Sequence, residues 1–210
     1  MMKILIADDH AVVREGLKQI ISETTDILVV DEANNGQEVL NKVSEHQYDI
    51  VLLDITMPGR SGLDILKQIK SNNPKLPVLI LSVHPEEQYA VRTLKAGASG
   101  YLTKGSAPDE LIEAIRKISQ GRKYISPSLA ERLAIDLDIG YDKPVHEMLS
   151  DREFQVMCKI ASGMTVKEIA DELSLSVQTI STYRSRILGK MRMKNSAELI
   201  HYALKQGLVD

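Results

Sequence analysis

The chain has 210 residues, 43% of them hydrophobic and 26% charged, a length that favours two domains and a composition that excludes disordered, collagen-like and coiled-coil classes. One cysteine, Cys158, excludes an intramolecular disulfide or a multi-cysteine metal site, and no uncharged apolar run approaches the roughly 18–20 residues that span a bilayer, so a cytoplasmic, reduced protein is expected. The net charge of −3 is uneven: from Val145 onward there are 9 Lys and Arg against 8 Asp and Glu, whereas the preceding residues hold 17 against 21.

In chain order, short apolar runs at Lys3–Ala7, Ile27–Val30, Ile50–Leu53, Val78–Leu81 and Gly100–Leu102 read as strands. Between them lie amphipathic stretches of helical period, such as Val12, Val13, Leu17, Ile20 and Ile21, or Leu111, Ile112, Ile115 and Ile118. Fully apolar strands alternating with helices describe βαβ units around a parallel sheet covered on both faces. Five such units make a doubly wound α/β domain, placed at residues 1–122. Residues 123–145 mix Pro127, Gly140 and Pro144 with Asp136, Asp138 and Asp142, and are expected to be a linker with a short helix at Pro127–Ile135. Residues 146–210 contain no strand-like run; helices are expected at Asp151–Ser162, Val166–Leu173, Val177–Met191 and Ser196–Lys205, capped by Ser150, Thr165, Ser176 and Asn195.

In an open parallel sheet, loops leaving the carboxyl ends of the strands converge on one crevice. Asp8 and Asp9 follow the first strand, Asp54 the third and Lys104 the fifth. Singly, each has a bland reading, Asp8 or Asp9 as a helix cap and Lys104 as a surface charge, but three carboxylates and a lysine at corresponding ends form a constellation. Clustered carboxylates repel, and a hard dication such as Mg²⁺ relieves that repulsion through oxygen ligands. A carboxylate is also a nucleophile toward phosphorus, and a dication with an ammonium neutralises the oxygens of a phosphoryl group in transfer. Ser82, at the fourth strand end, is placed to donate a hydroxyl to the same oxygens. The chain lacks a Gly-x-x-x-x-Gly-Lys loop and a Gly-x-Gly-x-x-Gly turn, and Asp54-Ile55-Thr56 lacks the second Asp of an Asp-x-Asp phosphatase motif, so nucleotide enzymes and such phosphatases are disfavoured.

These residues resemble a known family. Ile-Ala-Asp8-Asp9-His, Leu-Leu-Asp54-Ile-Thr-Met-Pro-Gly, Leu-Ser82-Val-His and Gly-Tyr101-Leu-Thr-Lys104 are similar to the receiver domain of two-component response regulators, over about residues 1–122. The resemblance implies a flavodoxin-like (βα)5 fold with sheet order 2-1-3-4-5. It also implies Asp54 as phosphoacceptor, and Asp8, Asp9, Asp54 and the Thr56 backbone carbonyl as Mg²⁺ ligands. Lys104 and Ser82 would contact the phosphoryl group, with Tyr101 as an aromatic switch that changes rotamer with Ser82. Two positions depart from the usual pattern: Val83 replaces a common Ala, and Gly105 replaces the Pro that often follows the Lys. His10 and His84 lie near the crevice without metal-ligand spacing and receive no role.

The segment 150–210 resembles the LuxR-type helix-turn-helix of the NarL/FixJ subfamily. The matching words are Leu149-Ser150-Asp151-Arg152-Glu153, Ala161-Ser162-Gly163-Met164-Thr165, Lys167-Glu168-Ile169-Ala170 and Leu175-Ser176-Val177-Gln178-Thr179-Ile180, ending on Lys190-Met191. With Tyr124-Ile125-Ser126-Pro127, the whole is most similar to the GacA/UvrY branch. Periodicity independently puts Ile180, Ile187 and Met191 on one face, against Ile169, Ala170 and Leu173, and turns Gln178, Ser181, Thr182, Ser185 and Arg186 outward. In a helix-turn-helix that outward face enters the major groove. Arg184, Arg186 and Lys190 are the expected phosphate contacts, with Arg184 beside the buried face and its stem directed outward. Cys158 and the Met residues read as core. The function implied is a phosphorylation-controlled transcription factor whose partners are a sensor histidine kinase, duplex DNA and a second copy on phosphorylation. No catalysis is implied beyond Mg²⁺-dependent self-phosphorylation and slow self-dephosphorylation. The rival reading, a helical domain that docks a protein instead of DNA, is separated by the steep salt dependence of phosphate contacts.

Overall fold

The computed structural model describes residues 1–58, 60–131 and 144–209. The chain forms two compact units, Met1–Leu133 and Ala134–Asp210.

The first unit is built on five parallel strands, β1 (Met2–Ala7), β2 (Ile27–Ala33), β3 (Ile50–Asp54), β4 (Val78–Ser82) and β5 (Gly100–Thr103), in the order β2-β1-β3-β4-β5. Every residue of β3 and β4 is buried, as a parallel strand covered on both faces requires. The covering helices are α1 (Ala11–Ser22), α2 (Gly36–Glu45), α3 (Gly62–Asn72), α4 (Glu86–Lys95) and α5 (Pro108–Ser119). On one face Ile4, Ile6, Leu52, Leu79 and Leu81 pack with Ile21 of α1 and Ile115 of α5. The flavodoxin-like order expected from the resemblance is the one observed.

β2, β3, β4 and β5 run one to three residues past the ends of their apolar runs, and β1 gains Met2 at its start. Backbone pairing does not need an apolar side chain, so Asp54 still pairs with Leu81, and Ser82 with Thr103. Two residues expected just beyond strand ends are therefore the last residues of strands. Another difference follows α5: Tyr124 bridges to Gly100, its N–H donates to the Ser99 carbonyl at 2.9 Å, and its hydroxyl donates to Glu110 at 2.9 Å. Leu129 is buried and residues 127–131 are helical. The stretch expected to begin a linker at 123 thus starts on the first unit, because Tyr124 and Leu129 have apolar surface to bury there; the rest of the expected helix lies outside the described residues.

The second unit opens with a short 3-10 turn (Val145–Met148) and continues through α6 (Asp151–Ala161), α7 (Val166–Glu172), α8 (Val177–Met191) and α9 (Ser196–Lys205). Ser150, Thr165, Ser176 and Asn195 each accept a backbone N–H three residues on, and Ser150 with Glu153 and Thr165 with Glu168 close capping boxes. Phe154, Met157, Ile169, Ala170, Ile180, Ile187, Leu199 and Ala203 are buried. Cys158 is buried with them.

Candidate functional site

At the carboxyl end of the sheet, Asp8 follows β1, Asp54 ends β3, Ser82 ends β4 and Lys104 follows β5. Their backbones are fixed by continuations of the ladder: the Asp8 N–H donates to the Ala33 carbonyl at 3.1 Å and the Lys104 N–H to the Ser82 carbonyl at 2.7 Å. Arg14 of α1 clamps the Asp8 carbonyl through Nη1 at 2.7 Å, while its Nε donates to Glu32 at 2.9 Å. Sequence reasoning gave Arg14 no role, since its position on a helix marks it only as a charged residue.

Lys104 Nζ stands 2.8 Å from Asp54 Oδ2 and 2.6 Å from Asp8 Oδ2. Both aspartates are almost fully buried. The Thr56 N–H donates to Asp54 Oδ1 at 3.0 Å, and the His10 N–H donates to Asp8 Oδ1 at 2.8 Å. Asp9 adds a third carboxylate to the cluster, so acidic groups outnumber the one lysine there. Burial pushes the Asp54 carboxyl above the usual carboxylate range, against the downward pull of Lys104 and the Thr56 N–H. Burial would lower the Lys104 ammonium, but Asp54 and Asp8 outweigh it and hold it above its ordinary value.

The oxygen chemistry fits a hard dication. Asp8 Oδ2 lies 2.6 Å from the Lys104 ammonium and Asp9 Oδ1 2.9 Å from His10 Nδ1, and neither buried oxygen receives an aligned hydrogen bond. Buried carboxylate oxygens in that condition are costly unless a cation meets them.

The loop after Asp54 is held by Gly62. A Cβ there would lie 2.2 Å from the Asp54 carbonyl oxygen and 2.6 Å from Ile55 Cα, a contact that backbone cannot relieve. The Gly62 N–H donates to the Ile55 carbonyl at 2.9 Å, folding the loop back on β3. In sequence Gly62 is only a glycine at a helix start, so this packing was not legible there.

Ser82 is fully buried and its Oγ accepts the His84 N–H at 3.0 Å. Tyr101 is fully buried, its hydroxyl donates to the His84 carbonyl at 2.8 Å, and burial raises its phenol so that it stays protonated. Ser82 and Tyr101 therefore meet at one residue, His84. Val83 is 67% exposed and directed to solvent.

In the second unit, Ile180, Ile187 and Met191 are buried, and Gln178, Thr182, Arg184, Ser185, Arg186 and Lys190 are exposed, with Ser181 half-buried. The exposed residues are not equally available. Thr182 Oγ1 donates to the Gln178 carbonyl at 2.9 Å, Arg184 Nε donates to Ser196 Oγ at 2.9 Å, and Lys190 Nζ lies 2.6 Å from Oε2 of buried Glu153. Arg186 makes no side-chain hydrogen bond or ion pair among the described residues.

Two family models match, the response regulator receiver domain over residues 4–116 and the luxR family of bacterial regulatory proteins over residues 147–203. The chain belongs to the two-component response regulators of the NarL/FixJ type, joining a receiver to a LuxR-type DNA-binding domain. It is 36% identical to the response regulator GacA of Pseudomonas syringae, covering 100% of this chain and 99% of that protein. To the oxygen regulatory protein NreC of Staphylococcus carnosus it is 38% identical, with 100% of both covered. Among solved structures, an RcsB–DNA complex matches with a TM-score of 0.60 at 27% identity, covering 98% of each chain. The chain is thus a transcriptional response regulator and not an enzyme of the ordinary kind. Response regulators receive phosphate from histidine kinases and bind DNA, and no helix among the described residues is long and apolar enough to cross a membrane.

Proposed function

We propose that Asp54 accepts a phosphoryl group from a sensor histidine kinase and that the phosphorylated chain binds specific duplex DNA through α8. The observation that carries the reading is the buried Asp54 carboxylate held between Lys104 Nζ and the Thr56 N–H, beside the Asp8 and Asp9 carboxylates. An Asp54 oxygen forms the new O–P bond while the P–N bond to the donor histidine breaks, the electron pair staying on the imidazole nitrogen. Lys104 then moves its charge from the carboxylate to a phosphoryl oxygen, and the Thr56 N–H keeps the carboxyl plane oriented. Asp8, Asp9, Asp54 and the Thr56 backbone carbonyl would hold Mg²⁺, which when bound supplies charge neutralisation for the phosphoryl oxygens. Slow loss of the group to water returns the chain to its starting state.

Ser82 is positioned to exchange its His84 partner for a phosphoryl oxygen. Because Tyr101 donates to the same residue, that exchange reaches a buried aromatic ring. A second copy pairing on phosphorylation would let two α8 helices meet half-sites about one DNA turn apart, raising affinity without new base contacts. In this reading residues 1–122, with Tyr124 and Leu129 packed on them, are the receiver, and residues 146–210 bind DNA. Arg186 and Arg184 contact phosphate, while Gln178, Ser181, Thr182 and Ser185 meet base edges.

Asp54→Asn removes the nucleophile and weakens the metal site. It is expected to abolish labelling by acetyl phosphate and to leave the chain monomeric in its presence, measured by intact mass and light scattering. Stoichiometric labelling of Asp54→Asn overturns the assignment.

A further inference from the structure

His10 has no metal-ligand spacing in the sequence, yet the fold brings it to the acidic centre. Among the described residues, one ligand atom each from Asp8, Asp9, His10 and Asp54 lies within 4.8 Å of the others. Ligands on opposite sides of an ion bound at about 2.0–2.3 Å stand about 4–4.6 Å apart, so a cluster of this width closes on a single cation. His10 Nδ1 lies 2.9 Å from Asp9 Oδ1 and 3.3 Å from Asp8 Oδ1. Asp8 is almost fully buried and its Oδ2 already meets the Lys104 ammonium at 2.6 Å, so the oxygens of this pocket are built to face positive charge.

The outer side of the ring suits this role. The His10 side chain is 65% exposed, so Nε2 can carry its proton toward water while Nδ1 keeps its lone pair for the interior. His10 is also the residue before α1 and makes no side-chain cap bond; the ring nitrogen turned to the protein meets only the Asp8 and Asp9 carboxylates. Mg²⁺ prefers oxygen and sheds water reluctantly, so an imidazole adds little to its binding. Late first-row dications gain from nitrogen ligands, in the order Mn²⁺, Co²⁺, Ni²⁺, Cu²⁺.

We propose that His10 Nδ1 is a further protein ligand of the acidic centre, giving this receiver a mixed nitrogen and oxygen site that takes nitrogen-accepting transition dications in competition with Mg²⁺. The proposal rests on the acidic centre being the metal site, and its test separates the two. The full chain, Asp9→Asn and His10→Ala are titrated calorimetrically with Mg²⁺ and with Ni²⁺ at one fixed pH and salt. His10→Ala is expected to weaken Ni²⁺ binding at least about tenfold while changing Mg²⁺ binding less than about twofold, with circular dichroism and urea unfolding as the check on folding. Asp9→Asn is expected to weaken both ions. If Asp9→Asn weakens both and His10→Ala leaves Ni²⁺ unchanged, or weakens both ions equally, the role of His10 is overturned and the acidic centre stands. If Asp9→Asn leaves both ions unaffected, the acidic centre itself is overturned.

Discussion

The receiver crevice and the outer face of α8 are both polar, but they hold their polar groups in opposite ways. In the crevice Asp8 and Asp54 are almost fully buried, and their oxygens are met by Lys104, the Thr56 N–H and the His10 N–H. On α8 the side chains expected to meet DNA are largely solvated, and several hold local partners they can give up to a ligand. Removal from water makes each charge in the crevice expensive, so the protein preorganises its partners before any ligand arrives. Water does that work on α8, and the geometry of its contacts is completed only by the DNA. A buried charged site is therefore readable from the chain alone, whereas a solvated recognition face shows only which side chains are free.

The sharpest way to break this contrast is to remove the cation of the crevice. Lys104→Met leaves two buried carboxylates uncompensated and should lower unfolding free energy by about 3–5 kcal/mol in metal-free buffer. Mg²⁺ should restore part of the loss, because it meets the same oxygens; urea unfolding with and without chelator measures both. Unchanged stability without metal would mean that water already compensates those carboxylates.

A smaller effect is expected at Lys190, which sits on the recognition helix but belongs energetically to the interior. Its ammonium reaches buried Glu153, the residue that also closes the capping box with Ser150. Burial alone would raise the Glu153 carboxyl, yet Lys190 and Ser150 outweigh it and hold it below the usual range. A lowered folded-state value means the stabilisation is present above the unfolded pKa and fades as pH falls through the folded one. Lys190→Ala should thus cost about 1–3 kcal/mol near neutral pH and less in acid. Its effect on the salt dependence of DNA binding should be slight; a full unit of salt slope lost would show that Lys190 leaves Glu153 for phosphate.

Arg186 offers the mildest test, since it makes no interaction to lose in the free chain. Arg186→Ala should leave the melting temperature within error and reduce the salt slope of DNA binding by about one unit, read by fluorescence anisotropy across a salt series. A destabilised variant with an unaltered slope would place Arg186 among the structural residues.

Much of the architecture was legible because local rules and tertiary packing agree. The apolar runs marked all five strands, and Ser150, Thr165, Ser176 and Asn195 announced the four helices that follow them, since a capping side chain acts within three residues of itself. The composition of the crevice was legible too, because a parallel sheet sends the residues after β1, β3 and β5 to one end. What failed was local in a different sense. The linker was drawn from Pro, Gly and Asp content, which cannot reveal that Tyr124 finds Gly100 as a neighbour.

The sequence by itself determined the element order, the parallel sheet and the identity of the charged residues at the strand ends, because these depend on short-range periodicity and on the fixed direction of parallel strands. Only the tertiary structure decided that Gly62 must lack a side chain beside the Asp54 carbonyl, that Arg14 clamps Asp8, that Lys190 turns inward to Glu153 and that His10 borders the acidic centre. Each of these depends on a distance of a few ångströms between backbone or side-chain atoms, set by how loops and helices pack on one another. No periodicity or residue spacing carries such a distance.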